Sequence, residues 1–388
     1  MEKIMLKGIA WDHPRGYEPL RACSSAFSEL HPEVDIQWHV RSLKEFGDMP
    51  VEDLIQAYDL LTIDHPYIGQ AHKKGLLVPL EQHLPQSDLE RLANQSVGPS
   101  FGSYVWQDHV YALPIDAAAL VAAFREDLIA ELGISLPRDR KDIKTLYKNL
   151  PSGFSIVWPL CATDLWCTFL SLCAQDGGTE FIKDKSFDIA LGATILDELK
   201  FHLEHLHPKS IHWNPIQVLD GMAADDAIVY APFLFGYTNY SRQGFARKRI
   251  RFGNSPGNPK TPISTILGGV GMAVSKQSQH VAQAVAYARY VASAGIQEGL
   301  YTQHGGQPGN LVAWESAANN VLCHNFFDDT RSTMEKAYVR PRHPGWNHFQ
   351  EQGAQLLHQA LVKNQPSTGA MGDLNTLYRT LQYHEETL

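Results

Sequence analysis

Tyr58-Asp59-Leu60-Leu61-Thr62-Ile63-Asp64-His65-Pro66, residues 58–66, is the stretch that decides the fold of this chain. Its first part is a largely apolar run, which is typical of a parallel strand buried on both faces. The run ends in the polar loop Asp64-His65-Pro66. Because ligands of open α/β sheets bind beyond the carboxyl ends of the strands, the stretch predicts both a buried strand and one corner of a binding site.

The sequence before this stretch repeats the same pattern. Lys7–Trp11 predicts a short buried strand, and the polar loop Asp12-His13-Pro14-Arg15 follows it. Apolar residues at helical spacing predict a helix over Glu18–Leu30, and period-two alternation predicts a strand over Val34–Val40. A strand, a helix and a strand in this order indicate the α/β class.

The sequence after residue 100 supplies further elements. The phrase Val110–Pro114 and the junction Ile115-Asp116 lead into an alanine-rich segment through Ala123, for which we predict a helix. The remaining predicted elements are strands over Phe154–Trp158, Ala227–Tyr230 and Ile266–Val274, and helices over Thr163–Ala174, His280–Ala294 and from Trp346 to the end with a break near Gln365–Gly372.

The overall composition limits the class of protein. With 388 residues the chain is too long for one hydrophobic core of usual size, so we expect two lobes. A hydrophobic content of 44% and a charged content of 19% are ordinary for a globular protein. The net charge of -9 argues against a nucleic-acid partner. No apolar run approaches the roughly 18 residues that a membrane-spanning helix needs.

The N-terminus and the cysteines bear on the cellular compartment. Met1–Trp11 contains no apolar core and no small-residue cleavage site, so the chain as written predicts a cytoplasmic protein, or one whose secretory signal has been removed. The cysteines contain no CxxC pair: Cys23, Cys161, Cys167, Cys173 and Cys323. Buried free thiols are the expected state, and an unpaired set favours a reducing compartment.

Polar residues directly after predicted strands are the first candidates for a ligand site. The loops Trp11–Arg15, Asp64–Pro66 and Pro114–Asp116 all have this position. Aromatic rings pack on the apolar faces of an organic ligand, while carboxylates and an arginine bind its polar groups. The alternative is that these aspartates and histidines only cap helices or close turns.

An aromatic segment is the next candidate. Phe233–Arg242 holds four aromatic residues together with an asparagine and an arginine. Such a segment is costly on a surface unless it faces a pocket. We expect the two phenylalanine rings to enter the core and Tyr237, Asn239 and Tyr240 to face a ligand.

Two turns could close the site from the other side. Gly305–Gly309 contains Gln307, and its glycines allow close approach of the backbone to a ligand, although it lacks the spacing of a phosphate-binding loop. Arg340-Pro341-Arg342, followed by Trp346, is a rigid basic turn. It could hold a carboxylate group of a ligand or pair with surface acids.

The eighteen histidines raise the question of a metal site. Three of them fall within His202–His207, but without HExxH or i,i+4 spacing, so a solvated helix end is the better interpretation. A looser alternative is a ferric site made by His13 with Tyr237 and Tyr240. No GxSxG or other nucleophile signature is present. We therefore expect no catalytic residue, no metal and no cofactor.

Several phrases follow one another in a fixed order along the chain. They are His31-Pro32-Glu33-Val34 after Phe27, Gly75–Leu80 (G-L-L-V-P-L), Val110–Pro114 (V-Y-A-L-P), Phe124–Leu128 (F-R-E-D-L) and the glycine strand Gly268–Val274. In order and spacing they resemble the family-1 extracellular solute-binding proteins of bacterial ABC importers, the maltose- and oligosaccharide-binding kind with a periplasmic-binding-protein type II fold. The resemblance covers nearly the whole chain.

The resemblance implies an α/β fold of two lobes, each a mostly parallel sheet flanked by helices, with the ligand cleft between them. It implies that lobe one comprises residues 1–113 plus 268–316 and that lobe two comprises residues 114–267 plus 317–388. The lobes would be joined by hinge crossings near Pro114–Asp116 and Ile266–Gly268.

The resemblance also implies ligand contacts in the second lobe. It places Trp166 near the second-lobe contact, Phe233–Tyr237 in an aromatic stacking loop and Trp346 at a C-terminal stacking position. The ligand contacts predicted from the loops and the resemblance together are Trp11, Asp12, His13, Arg15, Asp64, His65, Asp116, Asp164, Trp166, Tyr237, Asn239, Tyr240, Gln307, Arg342 and Trp346.

Three functions are compatible with these predictions. The main hypothesis is capture of a small polar solute, such as a sugar or another small metabolite, by hinge closure. The protein would then be the monomeric, periplasmic substrate-binding component of an ABC importer, with the permease as its partner. The alternative is an intracellular enzyme on the same fold, in which His13 or His65 beside an aspartate exchanges a proton with substrate. The third is a cytoplasmic ligand sensor that signals to a partner protein.

Overall fold

The computed structural model describes residues 3–48, 51–258, 261 and 263–387. Its strands are β1 (Ile4–Trp11), β2 (Val34–Arg41), β3 (Leu60–Ile63), β4 (Val105–Trp106), β5 (His109–Val110), β6 (Ala112–Phe124), β7 (Ser155–Ile156), β8 (Ile182–Lys183), β9 (Ser186–Phe187), β10 (Ile228–Phe235), β11 (Arg251–Gly253) and β12 (Leu267–Val274). Its helices are α1 (Pro14–Leu30), α2 (Leu43–Asp48), α3 (Val51–Leu54), α4 (Ile68–Lys73), α5 (Gln86–Asn94), α6 (Ser100–Ser103), α7 (Glu126–Leu132), α8 (Arg140–Asn149), α9 (Ala162–Gly177), α10 (Ile189–Leu203), α11 (Pro215–Ala224), α12 (Val281–Ala292), α13 (Ala294–Ile296), α14 (Leu311–Glu315), α15 (Ala317–Leu322), α16 (Phe326–Glu335), α17 (Trp346–Val362) and α18 (Ser367–Thr387). The mixture of strands and helices confirms the predicted α/β class.

One large sheet organises the molecule, with the strand order β2-β1-β3-β12-β6-β10-β7 and with β11 paired to β6. β1 runs parallel to β2 and to β3, and β7 runs parallel to β10. Each antiparallel ladder of this sheet involves β6 or β12. These two strands therefore join the parallel group β2-β1-β3 to a second group built on β10 and β7.

β6 is shared by both groups of strands. Its first part, Ala112–Ala119, pairs with β12, and its last part, Leu120–Phe124, pairs with β10 and β11. Every residue of β6 is buried. The predicted helix through Ala123 is therefore wrong. Alanine favours helices in isolation, but a segment of small side chains also fits a strand that is covered on both faces, and here the tertiary context decides.

The two-lobed arrangement expected from the sequence is confirmed. In the first lobe, α1 and α12 pack on the sheet around buried residues such as Leu20 and Tyr287. In the second lobe, α9, α10 and α17 enclose a separate core that includes Leu196 and Leu357. The predicted lobe boundaries, residues 1–113 plus 268–316 and 114–267 plus 317–388, stay a prediction, since Trp314 packs with Phe326 and Phe327 across the boundary at residue 316.

The β6–β12 ladder is irregular where the chain passes between the lobes. Val270 pairs with Asp116 and Gly271 pairs with Pro114, so one residue of β6 is left out of register. Gly269 adopts a φ of 110°, and a side chain there would collide with the carbonyl oxygen of Asp116. An interrupted ladder bends more easily than a regular one, so we expect hinge motion to be taken up here, close to the predicted crossings.

The C-terminal helices complete the second lobe. α17 packs against α9 and α18, and α18 packs against α10. Trp346 opens α17 and is fully buried, with ring centroids of Trp166, Phe349 and Tyr378 at 6.2, 5.4 and 5.9 Å. Within the described ranges, none of the helices combines the length and the apolar character needed to cross a membrane.

Candidate functional site

A cavity of about 670 Å³ lies where the carboxyl ends of β1 and β3 face the second lobe. Its lining comes from both lobes. The contributing elements are the first-lobe strands, the crossing strands β6 and β12, the amino end of α9, the end of β10 and one face of α17. Two sides of the lining differ in chemistry. We call Trp11, Arg15, Asp64 and Asp116 the strand wall, and Asp164, Trp166, Asn347, Gln350, Glu351 and Gln355 the helix wall.

A buried ion pair holds the centre of the strand wall. Arg15, in the first turn of α1, donates from Nε and Nη2 to the two carboxylate oxygens of Asp116 at 2.8 and 2.5 Å. Its Nη1 donates to the carbonyl oxygen of Gly236 at 2.7 Å, and its guanidinium lies 4.7 Å from the ring centroid of Tyr237. Burial disfavours the charged guanidinium, but the Asp116 carboxylate outweighs this effect and raises the pKa of Arg15. Arg15 therefore links the first lobe to the end of β10.

A second ion pair joins Asp64, after β3, to Arg340. Nη2 of Arg340 donates to Oδ2 of Asp64 at 2.5 Å, and the backbone N–H of His65 donates to Oδ1 at 2.8 Å. Burial would raise the pKa of Asp64, but the positive guanidinium of Arg340 holds it well below its usual range. Nε of Arg340 is buried at the cavity and has no hydrogen-bond partner within the described residues.

The amino end of α9 brings a carboxylate of a different kind to the cavity. Asp164 is only 8% exposed, and the thiol of Cys161 donates to its Oδ2 at 3.0 Å. Burial raises the pKa of Asp164 to about 7, and the thiol offsets this only in part. Trp166, two residues further on, is buried, and within the described part of the chain its Nε1 has no hydrogen-bond partner.

One face of α17 forms the rest of the helix wall. Asn347, Gln350, Glu351 and Gln355 recur at helical spacing and line the cavity. Nε2 of Gln350 donates to Oδ1 of Asn347 at 3.3 Å, while Oε1 of Gln350 is buried and has no partner among the described residues. The sequence prediction missed this face. The signal that could have found it is the run of amides at helical spacing directly after the Gly345 turn.

Aromatic rings supply the apolar surface of the cavity. Phe46 packs beside Trp11 at a ring-centroid distance of 5.4 Å, and Tyr67 and Phe235 also line the cavity. Of these, the sequence prediction named only Trp11 as a contact and assigned Phe235 to the core. The other two follow predicted strands by several residues and had no local pattern to mark them.

The structure brings together about half of the predicted contacts. Those that line the cavity are Trp11, Arg15, Asp64, Asp116, Asp164, Trp166 and Tyr237. Those that lie outside its lining are Asp12, His13, His65, Asn239, Tyr240, Gln307, Arg342 and Trp346.

Several of the outlying residues hold the loops in place. Asp12 is exposed, and Nδ1 of His13 accepts from the backbone N–H of Arg15 at 3.0 Å, which caps α1. Burial and the neighbouring Arg15 lower the pKa of His13 to about 3. Burial likewise lowers the pKa of His65 to about 4, and its side chain lies beneath the Asp64 loop. Both histidines are therefore neutral at neutral pH.

The other outlying residues connect backbone segments across the site. Gln307 donates from Nε2 to the carbonyl oxygen of Ala117 at 2.8 Å, and its Oε1 accepts from the backbone N–H of Thr238 at 3.1 Å. The hydroxyl of Tyr240 donates to Asp220 at 2.6 Å, and Asn239 is buried. Arg342 donates from Nη1 to the carbonyl oxygens of Gly102, Ser103 and Val105 at 2.8 to 2.9 Å, and Trp346 belongs to the second-lobe core.

The described residues contain no group of three or more His, Cys, Asp or Glu side chains that could hold a metal ion. Within the 202–207 segment, His202 is buried 2.9 Å from the Tyr147 hydroxyl, and Nδ1 of His205 lies 2.8 Å from the carbonyl oxygen of Phe201. All five cysteines are free, and Cys161 is the partly exposed one.

Comparison with known sequences gives two matches of interest. The sequence model of a family described as bacterial extracellular solute-binding proteins matches residues 13–298. A maltotriose-binding protein from Pyrococcus abyssi (strain GE5 / Orsay) is 21% identical over 205 residues, which are 52% of this chain and 43% of that protein. The matched part therefore spans less than half the length of this relative.

Solved structures are similar over nearly the full length. An ABC transporter solute-binding protein from Agrobacterium radiobacter K84, in complex with ribitol, has a TM-score of 0.84 and 16% identity, covering 98% of this chain and 99% of that chain. Maltose-bound MalE3 from T. maritima has a TM-score of 0.82 and 15% identity, covering 97% and 100%. At these identities the likeness shows the fold, and it agrees with the two-lobed arrangement.

Proposed function

Since this chain belongs to the bacterial extracellular solute-binding proteins, we propose that it captures a small polyhydroxylated solute, a sugar or a polyol, in the cavity between its lobes. The lobes would close over the solute by bending at the irregular β6–β12 ladder. The protein would then hand the solute to the permease of an ABC importer. We place this activity on the outer side of the cytoplasmic membrane and assign it to a monomer.

One observation carries the choice of solute. The lining combines aromatic faces with amides and carboxylates, while its two arginines, Arg15 and Arg340, are each engaged by a carboxylate. Aromatic rings pack on the apolar faces of sugar rings, and amides and carboxylates bind hydroxyl groups. An anionic solute would meet no unpaired guanidinium among the described lining residues. The ribitol and maltose in the two similar structures support this assignment.

The contacts between the lobes support the closure step. Arg15 reaches from α1 to the carbonyl oxygen of Gly236, and Arg340 reaches to Asp64 after β3. Both arginines line the cavity, so a bound solute would lie against the same side chains that hold the lobes together. This arrangement couples occupancy of the cavity to closure.

The enzyme alternative, as predicted from the sequence, depends on two histidines that lie outside the cavity. It relied on His13 or His65 to exchange a proton with substrate, and neither side chain lines the cavity. Their low pKa values also make them weak bases near neutral pH.

A thermal-shift screen tests the proposal. Sugars and polyols from ribitol to maltotriose are added to the purified protein, with dicarboxylic acids of similar size as the comparison set. A solute at about 100 times its Kd stabilises the protein by about 2.7 kcal/mol, which is a clear rise in melting temperature. We expect the rise with at least one sugar or polyol and none with the dicarboxylic acids. A rise with the acids alone would overturn the proposal.

A further inference from the structure

The charged groups that line the cavity are not balanced. Among the described lining residues there are five carboxylates, two guanidinium groups and no lysine. The carboxylates belong to Glu52, Asp64, Asp116, Asp164 and Glu351. The lining therefore carries an excess of negative charge when all of these groups are ionised.

Three of these carboxylates are neutralised by a cation of the protein. Asp116 is paired with Arg15 and Asp64 is paired with Arg340. Glu52 accepts from Nζ of Lys74 at 2.7 Å, outside the lining. The negative charge of each of these three carboxylates is therefore already balanced by a cation of the protein.

Asp164 is different from the other four. Glu351 lies at the exposed edge of the lining, where water solvates it, but Asp164 is 8% exposed and its hydrogen-bond donor is the neutral thiol of Cys161. Within the described part of the chain, the other ionisable groups that interact with it electrostatically are Tyr237 and Cys167, and neither is a cation. A buried carboxylate without a cation is expensive to keep ionised, so it either takes up a proton or is stabilised by a positive group of a ligand.

A donor without a partner lies on the same turn of helix. Trp166 lines the cavity, and its Nε1 is buried and has no hydrogen-bond partner within the described residues. An indole N–H donates to a hydroxyl or ether oxygen, so this end of the cavity offers an acceptor and a donor on neighbouring positions. Aromatic rings in the lining, such as Phe235, add surfaces that attract a cation.

We propose that the cavity takes a cationic polyhydroxylated solute, an amino sugar or an amino polyol, in preference to its neutral counterpart, and that Asp164 receives the ammonium group. This inference rests on the proposed function and narrows its solute class. A neutral hydroxyl can donate to Asp164, but it leaves the negative charge of the carboxylate uncompensated in a closed cavity. An ammonium group supplies both the hydrogen bond and the charge. Because an opposite charge favours the ionised carboxylate, the pKa of Asp164, raised by burial to about 7 in the empty protein, would fall on binding.

Calorimetric titration with matched pairs of probes tests the inference. Glucamine is compared with glucitol, and the glucosamine trimer with cellotriose, because the members of each pair share a carbon skeleton and differ by amino groups. At about pH 7.5 we expect the amine of at least one pair to bind about ten-fold more tightly than its neutral partner. In Asp164→Asn the preference should shrink to about two-fold or less.

The control variant is Asp108→Asn, which makes the same chemical change at an exposed turn between β4 and β5 and should retain the preference. Thermal unfolding of both variants establishes that they are folded. If the neutral members bind as tightly as the amines, or alone, the inference fails and solute capture stands. If Asp164→Asn keeps the full preference, the assignment to Asp164 fails. If none of the four probes binds at millimolar concentration while a neutral sugar or polyol raises the melting temperature in the screen, the inference is overturned and solute capture stands. If nothing in the screen binds either, the proposed function fails as well.

Discussion

The strand wall and the helix wall hold their charged groups in opposite ways. In the strand wall, the carboxylates of Asp64 and Asp116 are each bound directly by an arginine. In the helix wall, Asp164 meets only a thiol, and Oε1 of Gln350 has no partner within the described residues. The carboxylates of the first wall are paired with cations without a ligand, although Nε of Arg340 beside them has no partner within the described residues, whereas the second wall leaves a carboxylate without a cation.

This difference separates stability from recognition. Buried groups that are paired in the empty protein contribute to holding the lobes together, because removing one partner leaves the other charge unpaired. Buried groups that lack partners lower the stability of the empty protein and are available to a solute. We therefore expect substitutions in the strand wall to act mainly on unfolding and those in the helix wall to act mainly on binding.

The largest expected effect is on the strand wall. Arg15→Met should lower the free energy of unfolding by about 3–5 kcal/mol, because it leaves the buried carboxylate of Asp116 without its cation. Urea unfolding at neutral pH measures this loss. The matched control is Arg331→Met, since Arg331 pairs with Glu315 and Glu335 at the surface and should cost about 1 kcal/mol or less. Equal losses in the two variants would contradict the structural role of the strand wall.

The second expected effect is a pH dependence of the free energy of unfolding, caused by Asp164 in the helix wall. Burial raises the pKa of Asp164 from 3.8 to about 7, so the folded protein keeps this proton to a higher pH than the unfolded chain does. The contribution of Asp164 to the free energy of unfolding therefore falls as pH rises from about 4 to about 7 and is constant above that range.

Asp164→Asn removes this contribution. The stability of the variant relative to the natural sequence should rise by about 2 kcal/mol between about pH 5 and about pH 8 in the absence of solute. Urea unfolding of both proteins at the two pH values gives the difference. A difference that does not change with pH would mean that Asp164 titrates normally and is not a buried, unpaired carboxylate.

The smallest expected effect is on an amide of the helix wall. Gln350→Ala should weaken binding of any solute found in the screen by about three- to ten-fold, because one neutral hydrogen bond is worth about 1 kcal/mol. Stability should change little, since Oε1 of Gln350 has no partner within the described residues and its Nε2 makes one long hydrogen bond of 3.3 Å to Asn347. Gln359→Ala, at an exposed position of the same helix, is the control and should bind normally. Equal affinities in the two variants would remove the α17 face from the site.

The sequence predicted the strand wall better than the helix wall, and the reason is local geometry. A buried parallel strand is an apolar run, and the polar residue that ends it must lie at the edge of the sheet. Asp64 was found in this way, and Trp11 was found as the last residue of β1. Asp116 was named for the same reason, but it lies inside β6. The polar face of α17 carries no such mark, because amides at helical spacing look the same whether they face solvent or a cavity. Packing of α17 against α9 decides whether these amides face solvent or the cavity.

The basic turn shows the same limit at the level of single residues. Arg340 and Arg342 are separated by one proline, and the sequence prediction chose Arg342. In the structure Arg342 binds backbone carbonyl oxygens of the first lobe, while Arg340 binds Asp64 and lines the cavity. Nothing in the local pattern distinguishes them, since only the position of Asp64 in the folded chain decides which arginine becomes buried. Trp346 was likewise assigned to the ligand and packs in the core.

If solute binds in the cavity between the lobes, a side chain that fills the cavity must abolish binding. Ala162 is the first residue of α9 and lines the cavity, whereas Ala317 is the first residue of α15 and is exposed. Calorimetric titration of the solute found in the screen should show no binding to Ala162→Trp, because the indole occupies the site, and unchanged affinity for Ala317→Trp. Unchanged affinity in a folded Ala162→Trp protein would mean that solute binds outside this cavity.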